Sequence, residues 1–244
     1  MATLRLLLLT VGVVALLVAP LPIAAAPDAY DVLMQSAAWS EQRAAFATIA
    51  AAPRPFLPRL RRSLREYPQL ISSHPQEALR AVTLASYLRD VAFAGILLDS
   101  LQDADVEARC EHPDPLVLAF TVHAAFGSWQ PPLTLNPGLP CVRAFQAELE
   151  RLPGSRGQAP RPPVAGASTA HAQRERQLIA QAGPATADRA TRLAAAKALA
   201  SSVTTGTNRR DLYLLAMNDL PEDPEREYLG AVYAAIYRAE MALR

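Results

Sequence analysis

The residue types that most often carry chemistry are sparse in this sequence and badly spaced for it. The four histidines are His74, His112, His123 and His171, and none stands near another histidine or a cysteine at metal-ligand spacing. The run "CEHPD" beginning at Cys110 fits neither a haem-attachment nor a zinc pattern. His123 lies in an apolar stretch and is expected to be a core or groove histidine. There is no G-x-S-x-G, no P-loop and no glycine-rich dinucleotide turn. "TTGTN" at 204–208 reads as a turn between helices. Asp103, Asp105 and Glu107, like Glu222, Asp223 and Glu225, fall at expected helix ends, where carboxylates cap the helix or complement its dipole. A cell-wall lyase works with a single glutamate; Glu41 and Glu148 have the residue type, but nothing around either marks it. No catalytic residue, metal ligand or cofactor is assigned, and the chain is not expected to be an enzyme.

The stretch that could bind something is "RPFLPRLRRSLREY", beginning at Arg54. At helical spacing Phe56, Leu57, Leu60, Leu64 and Tyr67 form one apolar stripe. Arg59 and Arg62 then face outward, Arg61 and Arg65 lie nearer the margins, and Arg54 stands just before. Guanidinium groups pair bidentately with carboxylates and phosphates, so these five arginines are a candidate partner-binding patch for acidic protein segments or anionic envelope polymers. The plainer alternative is a solvated helix face. Lysine occurs once, at Lys197, and arginine is raised together with alanine and proline, as a GC-rich genome would produce. With a net charge of +1 and no groove-reading motif, no nucleic-acid partner is expected.

Whatever the patch does depends on where the chain goes and on the helices that hold it. Arg5 followed by the uncharged, largely apolar run 6–18, then Pro20, Pro22 and the small residues 24–26, is the anatomy of a secretory signal peptide, residues 1–25. Cleavage is expected after Ala25, because a cut one residue later would place Pro27 beside the scissile bond. No cysteine near the cut indicates a lipid anchor. The mature chain is therefore expected in the periplasm or outside the cell. The alternative is an uncleaved anchor, since about 20 residues suffice to span a bilayer; a membrane association is expected only in that case. In an oxidising compartment Cys110 and Cys141 are expected to form a disulfide, which would contribute roughly 3–4 kcal/mol. Two free buried thiols are the alternative.

Beyond the signal the sequence reads as helical throughout, with apolar residues at three- and four-residue steps and no convincing period-two run. Asp114-Pro115 and Asp223-Pro224 place a capping acid before a proline at the first helical position, and His74-Pro75 does so with poorer capping. Similar helices begin at Glu41, Glu77, Pro115, Thr191 and Glu227. Aligning Ala44, Ala81, Ala119, Ala194 and Gly230 gives steps of 37, 38, 75 and 36, the third being about double the others. Second helices are expected at 56–67, 91–101, 142–152 and 209–220. A helical hairpin at this period marks a solenoid. It also gives a reason for the alanine-rich "TRLAAAKALASS" at 191–202: small side chains let packed backbones approach closely.

"DRATRLAAAKAL", residues 188–199, resembles the HEAT-repeat pattern, with Asp188 as the repeat acid and Arg192 as the repeat arginine. Elsewhere the likeness is looser: "LRAVTLASYL" keeps Arg80, the helix at Pro115 has Leu118 where arginine is expected, and the last has Glu227 or Tyr228 there. The resemblance implies an all-α fold of irregular helical-hairpin repeats, a HEAT-like α-solenoid, whose usual work is binding other macromolecules. A Pro/Gly-rich linker at 153–170 interrupts it, dividing an N-terminal sub-array, 26–152, from a C-terminal one, 171–244, where one first helix is expected to be lost or replaced. The function expected is an exported, non-catalytic scaffold or adaptor with a protein partner. The alternative is a cell-envelope enzyme or ligand-binding protein on an irregular helical bundle.

Overall fold

Helix signals dominate the chain, and helices are what it forms. The computed structural model describes residues 28–100, 115–126, 138, 140–152, 169–184, 186, 188–202, 205–218 and 225–243. These contain twelve α-helices, one short 3₁₀ turn and no strand. In chain order they are α1 (Ala29–Gln35), α2 (Trp39–Ala51), the 3₁₀ turn Arg54–Phe56, α3 (Leu57–Arg65), α4 (Tyr67–Ser73), α5 (Pro75–Leu88), α6 (Val91–Ser100), α7 (Pro115–Phe126), α8 (Pro140–Arg151), α9 (Thr169–Ala182), α10 (Arg189–Ser202), α11 (Arg209–Ala216) and α12 (Glu225–Met241). The signal segment, Cys110, the loop at 127–137, most of the linker and the acids at 103–107 and 222–223 lie outside the described residues. So does the side chain of Cys141, although its backbone opens α8. No helix among the described residues is long and apolar enough to cross a membrane.

Local chemistry sets the boundaries. Asp28 caps α1 by accepting from the amides of Tyr30 and Asp31. Asp188 caps α10, accepting from the amides of Ala190 and Thr191 and from the Thr191 hydroxyl. Those hydrogen bonds, led by the one from the Thr191 hydroxyl, hold the Asp188 carboxyl below the usual range. Pro75 starts α5 with no side-chain cap from His74, and Arg89 ends it in the left-handed region at φ 57°. The helix expected over 56–67 is interrupted at Glu66, where Pro68 restarts the chain as α4.

The helices pack largely as hairpins with their neighbours: α1 with α2, α7 with α8, α9 with α10, and α10 and α11 with α12. The helix enclosed on most sides is α5, in which every residue from Ala78 to Ser86 is buried. The alanine-rich α10 buries one stripe, Ala195, Ala196 and Leu199, between α9 and α12, and exposes Ala194 and Lys197. Its small side chains therefore serve close approach on one side rather than burial on all sides.

One apolar core runs through the described helices. It is completed by a contact that hairpin order alone does not require: α11 packs against α2 and α5 as well as α9 and α12. A ladder of rings marks the junction. Phe46 of α2 meets Tyr87 of α5 at 4.7 Å, Tyr87 meets Tyr213 of α11 at 5.3 Å, and Phe120 of α7 stacks on Tyr233 of α12 at 4.4 Å. Phe120 and Tyr213, at 6.1 Å, join the two pairs.

Candidate functional site

The arginine-rich helix α3 sits on the core by the stripe its sequence predicts. Leu60, Leu64 and Tyr67 are fully buried, and Phe56 and Leu57 pack partly buried against the core. Ser63 lies on the same side, within 2.9 Å of the Tyr30 hydroxyl. Burial, ahead of every other influence, pushes that phenol up to about 12.

The five candidate arginines do not form one set. Arg59 is half-buried and turned back onto α1. Its Nη1 lies 2.5 Å from Asp28 Oδ2, its Nη2 donates to Asp31, and its guanidinium carbon stands 4.6 Å over the Tyr30 ring. The hydrogen bond to Asp31 raises its already high pKa, and Asp28 is drawn down chiefly by the Asp31 amide and further by Arg59. Arg59 is thus a clamp between α3 and α1. Arg54, Arg62 and Arg65 are exposed and Arg61 is half-exposed. None of these four makes an ion pair or a side-chain hydrogen bond among the described residues.

The other charges that sequence reasoning singled out hold the fold together. Glu148, buried on α8, receives Arg226 of α12 and Arg151, the latter at 2.8 Å. Glu41 is exposed and accepts from the Ser36 hydroxyl at 2.7 Å. Arg192 donates to the carbonyl of Ala182, the last residue of α9, and lies 5.0 Å from the Tyr228 ring centroid. Arg80 has the same kind of role with more partners. Its Nη1 donates to the carbonyls of Leu33, Met34 and Ser36 at 3.2, 2.8 and 2.9 Å, and its Nε reaches the Met217 carbonyl at 3.4 Å. It is buried, and burial lowers its pKa.

Sequence reasoning did not find the buried carboxylate of Glu240, on α12. It accepts from Arg209 Nε at 2.5 Å and from the Tyr213 hydroxyl at 2.8 Å, and pairs with Arg89 at 2.9 Å. Its partners come from α11 and from the turn after α5, so no local motif announces it. Beside it lies an open depression of about 440 Å³ lined by Tyr87, Thr207, Asn208, Arg209, Arg210 and Leu243. Arg209 is held there by Glu240, by the Tyr87 carbonyl at 2.5 Å and by the Tyr87 ring at 4.0 Å.

His74 is exposed, with Nδ1 2.9 Å from the Ser73 hydroxyl, while His123 is buried with its ring 5.0 Å from Tyr237. Among the described residues no group of three His, Cys, Asp or Glu side chains is placed to hold a metal ion. The arrangement on α3 can do one simple thing chemically: present several guanidinium groups with no partner among the described residues, on a firmly packed helix, to an anion. Comparison with protein-family models, with curated proteins and with solved structures finds no match to this chain.

Proposed function

We propose that this chain is an exported, non-catalytic interaction scaffold, a helical-repeat adaptor that engages a protein partner through the cationic face of α3. One observation carries the reading. Arg59, Arg80, Arg89, Arg192, Arg209 and Arg226 are each tied to a carboxylate or a carbonyl within the fold, while Arg61, Arg62 and Arg65 on α3, with Arg54 in the 3₁₀ turn before it, have no such partner among the described residues. The signal-like residues 1–25 supply the address, and the HEAT-like pattern at 188–199 supplies the analogy to binding arrays. If the N-terminal segment is retained, the same scaffold is tethered to a membrane.

The core cluster begins at Tyr30, so the chain from Ala26 contains all of its residues. That form, tagged at its C-terminus and exported in its native host, is expected to co-purify with a stoichiometric protein at low salt. The protein should be lost when Arg54, Arg61, Arg62 and Arg65 are changed to Gln. A partnerless monomer at low salt would refute the scaffold reading. It would favour the second one, an envelope enzyme or ligand-binding protein, for which the depression beside α11 is the specific feature.

A further inference from the structure

Building on the scaffold reading, we infer that the α3 face takes one chemical class of partner: an extended segment of another protein whose Asp or Glu side chains recur at every second position.

The stripe has the spacing for it. Arg61 and Arg65 are four residues apart on a helix, about 6 Å along the axis at 1.5 Å per residue. Alternate side chains of an extended strand stand about 6.8 Å apart on one face. Two carboxylates at alternate positions of such a segment therefore meet the Arg61 and Arg65 guanidinium groups with little adjustment. Arg62 lies beside this line, and Arg54 continues the charge across the 3₁₀ turn. A guanidinium fork accepts a carboxylate bidentately, which adds direction to attraction.

The surroundings select a narrow anion over a broad one. Asp28 and Asp31 share the single cation Arg59 and keep side-chain exposures of 50% and 35%, and Glu66 is exposed just past Arg65. A flat anionic bilayer laid on this face meets those carboxylates together with the arginines. A single acidic strand follows the arginines and avoids them. Nor does the face offer an apolar anchor. Among the described residues the one large hydrophobic side chain that is well exposed is Leu243, far along the chain. Recognition must then be carried by side-chain charge, and it weakens steeply with salt.

The test uses the chain from Ala26 and three probes. The first is a blocked eight-residue peptide alternating Asp and Ala. The second has the same composition with its four Asp residues consecutive. The third is vesicles of phosphatidylglycerol. Fluorescence anisotropy at low salt should show the alternating peptide binding more tightly than the block peptide. The combined Arg61→Gln, Arg62→Gln and Arg65→Gln variant should weaken that binding about tenfold, as three exposed ion pairs imply. The control is Arg174→Gln with Arg176→Gln on α9, where both arginines are exposed; it removes charge elsewhere and should leave binding unchanged. Arginines outside the core and without a partner among the described residues can be replaced without disturbing it, and unchanged circular dichroism will verify this.

Equal affinity for the two peptides, equal loss in the control, or arginine-dependent binding to vesicles but not to peptide overturns the inference. So does a native partner that depends on the arginines and contains no alternating acidic segment. In that last case the scaffold reading stands while the partner class falls.

Discussion

Arg80 provides the sharpest energetic test of the fold. It is 5% exposed and has no carboxylate in contact among the described residues; its counter-charge is the ring of carbonyls at the ends of α1 and α11. Helix C-termini carry partial negative charge, so the guanidinium neutralises two dipoles and serves the Leu33 and Met34 carbonyls, while those of Ser36 and Met217 also accept from Gln42 and Gln76. Replacing it by Leu removes the donors and keeps much of the volume. The two hydrogens on Nη1 serve three acceptors, so the loss is best counted as two strong charge-assisted bonds. At about 1.5–3 kcal/mol each, less the relief of no longer burying a cation, the net cost is about 3 kcal/mol. For a chain of this size that lowers Tm by roughly 6–12 °C. The assay is thermal and urea unfolding of Arg80→Leu beside Arg80→Lys, with hydrogen exchange of the α1 amides. The lysine variant keeps a cation near Met34 but has no second arm for Met217, and should lose about half as much. The α11 side retains one tie, since the Gln76 amide donates to the Met217 carbonyl at 2.5 Å. A loss below about 1 kcal/mol in Arg80→Leu, with α1 exchange unchanged, would refute this account of how α1 is held.

Three further outcomes follow from the charge network. Glu240→Gln leaves Arg209 and Arg89 facing a neutral amide and should cost about 3 kcal/mol in chemical denaturation, whereas the exposed Lys197–Glu227 pair should tolerate Glu227→Gln within about 0.5 kcal/mol. Equal losses at the two sites would contradict the burial argument. Tyr30 has a folded pKa raised above its unfolded value of 10 to about 12, so its stabilising share is whole below pH 10 and disappears as pH rises through 12. Wild type should lose about 2–3 kcal/mol more than Tyr30→Phe across that interval, and identical alkaline slopes would exclude the effect. Asp28 and Asp188 have depressed values, so their contribution is present above the unfolded carboxylate range and is lost as pH falls through the folded values. The acid decline of Tm should be shallower when both are changed to Asn, and an unaltered acid limb would show that their caps do not couple to the global transition.

Periodicity made most helices legible. The starts read at Glu41, Glu77, Pro115, Thr191 and Glu227 fall in α2, α5, α7, α10 and α12, and the second helices correspond to α3, α6, α8 and α11. The seven-residue α1 was missed because it is shorter than any periodic window and follows an apolar leader. The start of α9 at Thr169 was missed because "TAHAQRERQLIAQA" opens beside a Pro/Gly-rich run and carries few apolar positions. On the candidate site, the apolar stripe of α3 was read correctly from spacing alone. The role of Arg59 was not, because its partners lie 28 and 31 residues away, beyond any helical period. The Glu240 cluster was out of reach for the same reason. Local pattern shows which face of a helix is apolar, but not which distant face covers it.

The seating of α11 on α2 and α5 bears on how the molecule comes to be made. The first hairpins depend on Tyr213 and on the Met217 carbonyl, near the end of a chain of 244 residues. A polypeptide growing from its N-terminus has α1 to α10 in hand before either group exists. Its leading helices can form and pair, but the surface around Tyr87 remains uncovered until residues 209–217 arrive. Closure of this junction is therefore a late event, after the leading hairpins have been made. The uncovered rings around Tyr87 are thus the part of the nascent chain most in need of shielding until α11 arrives.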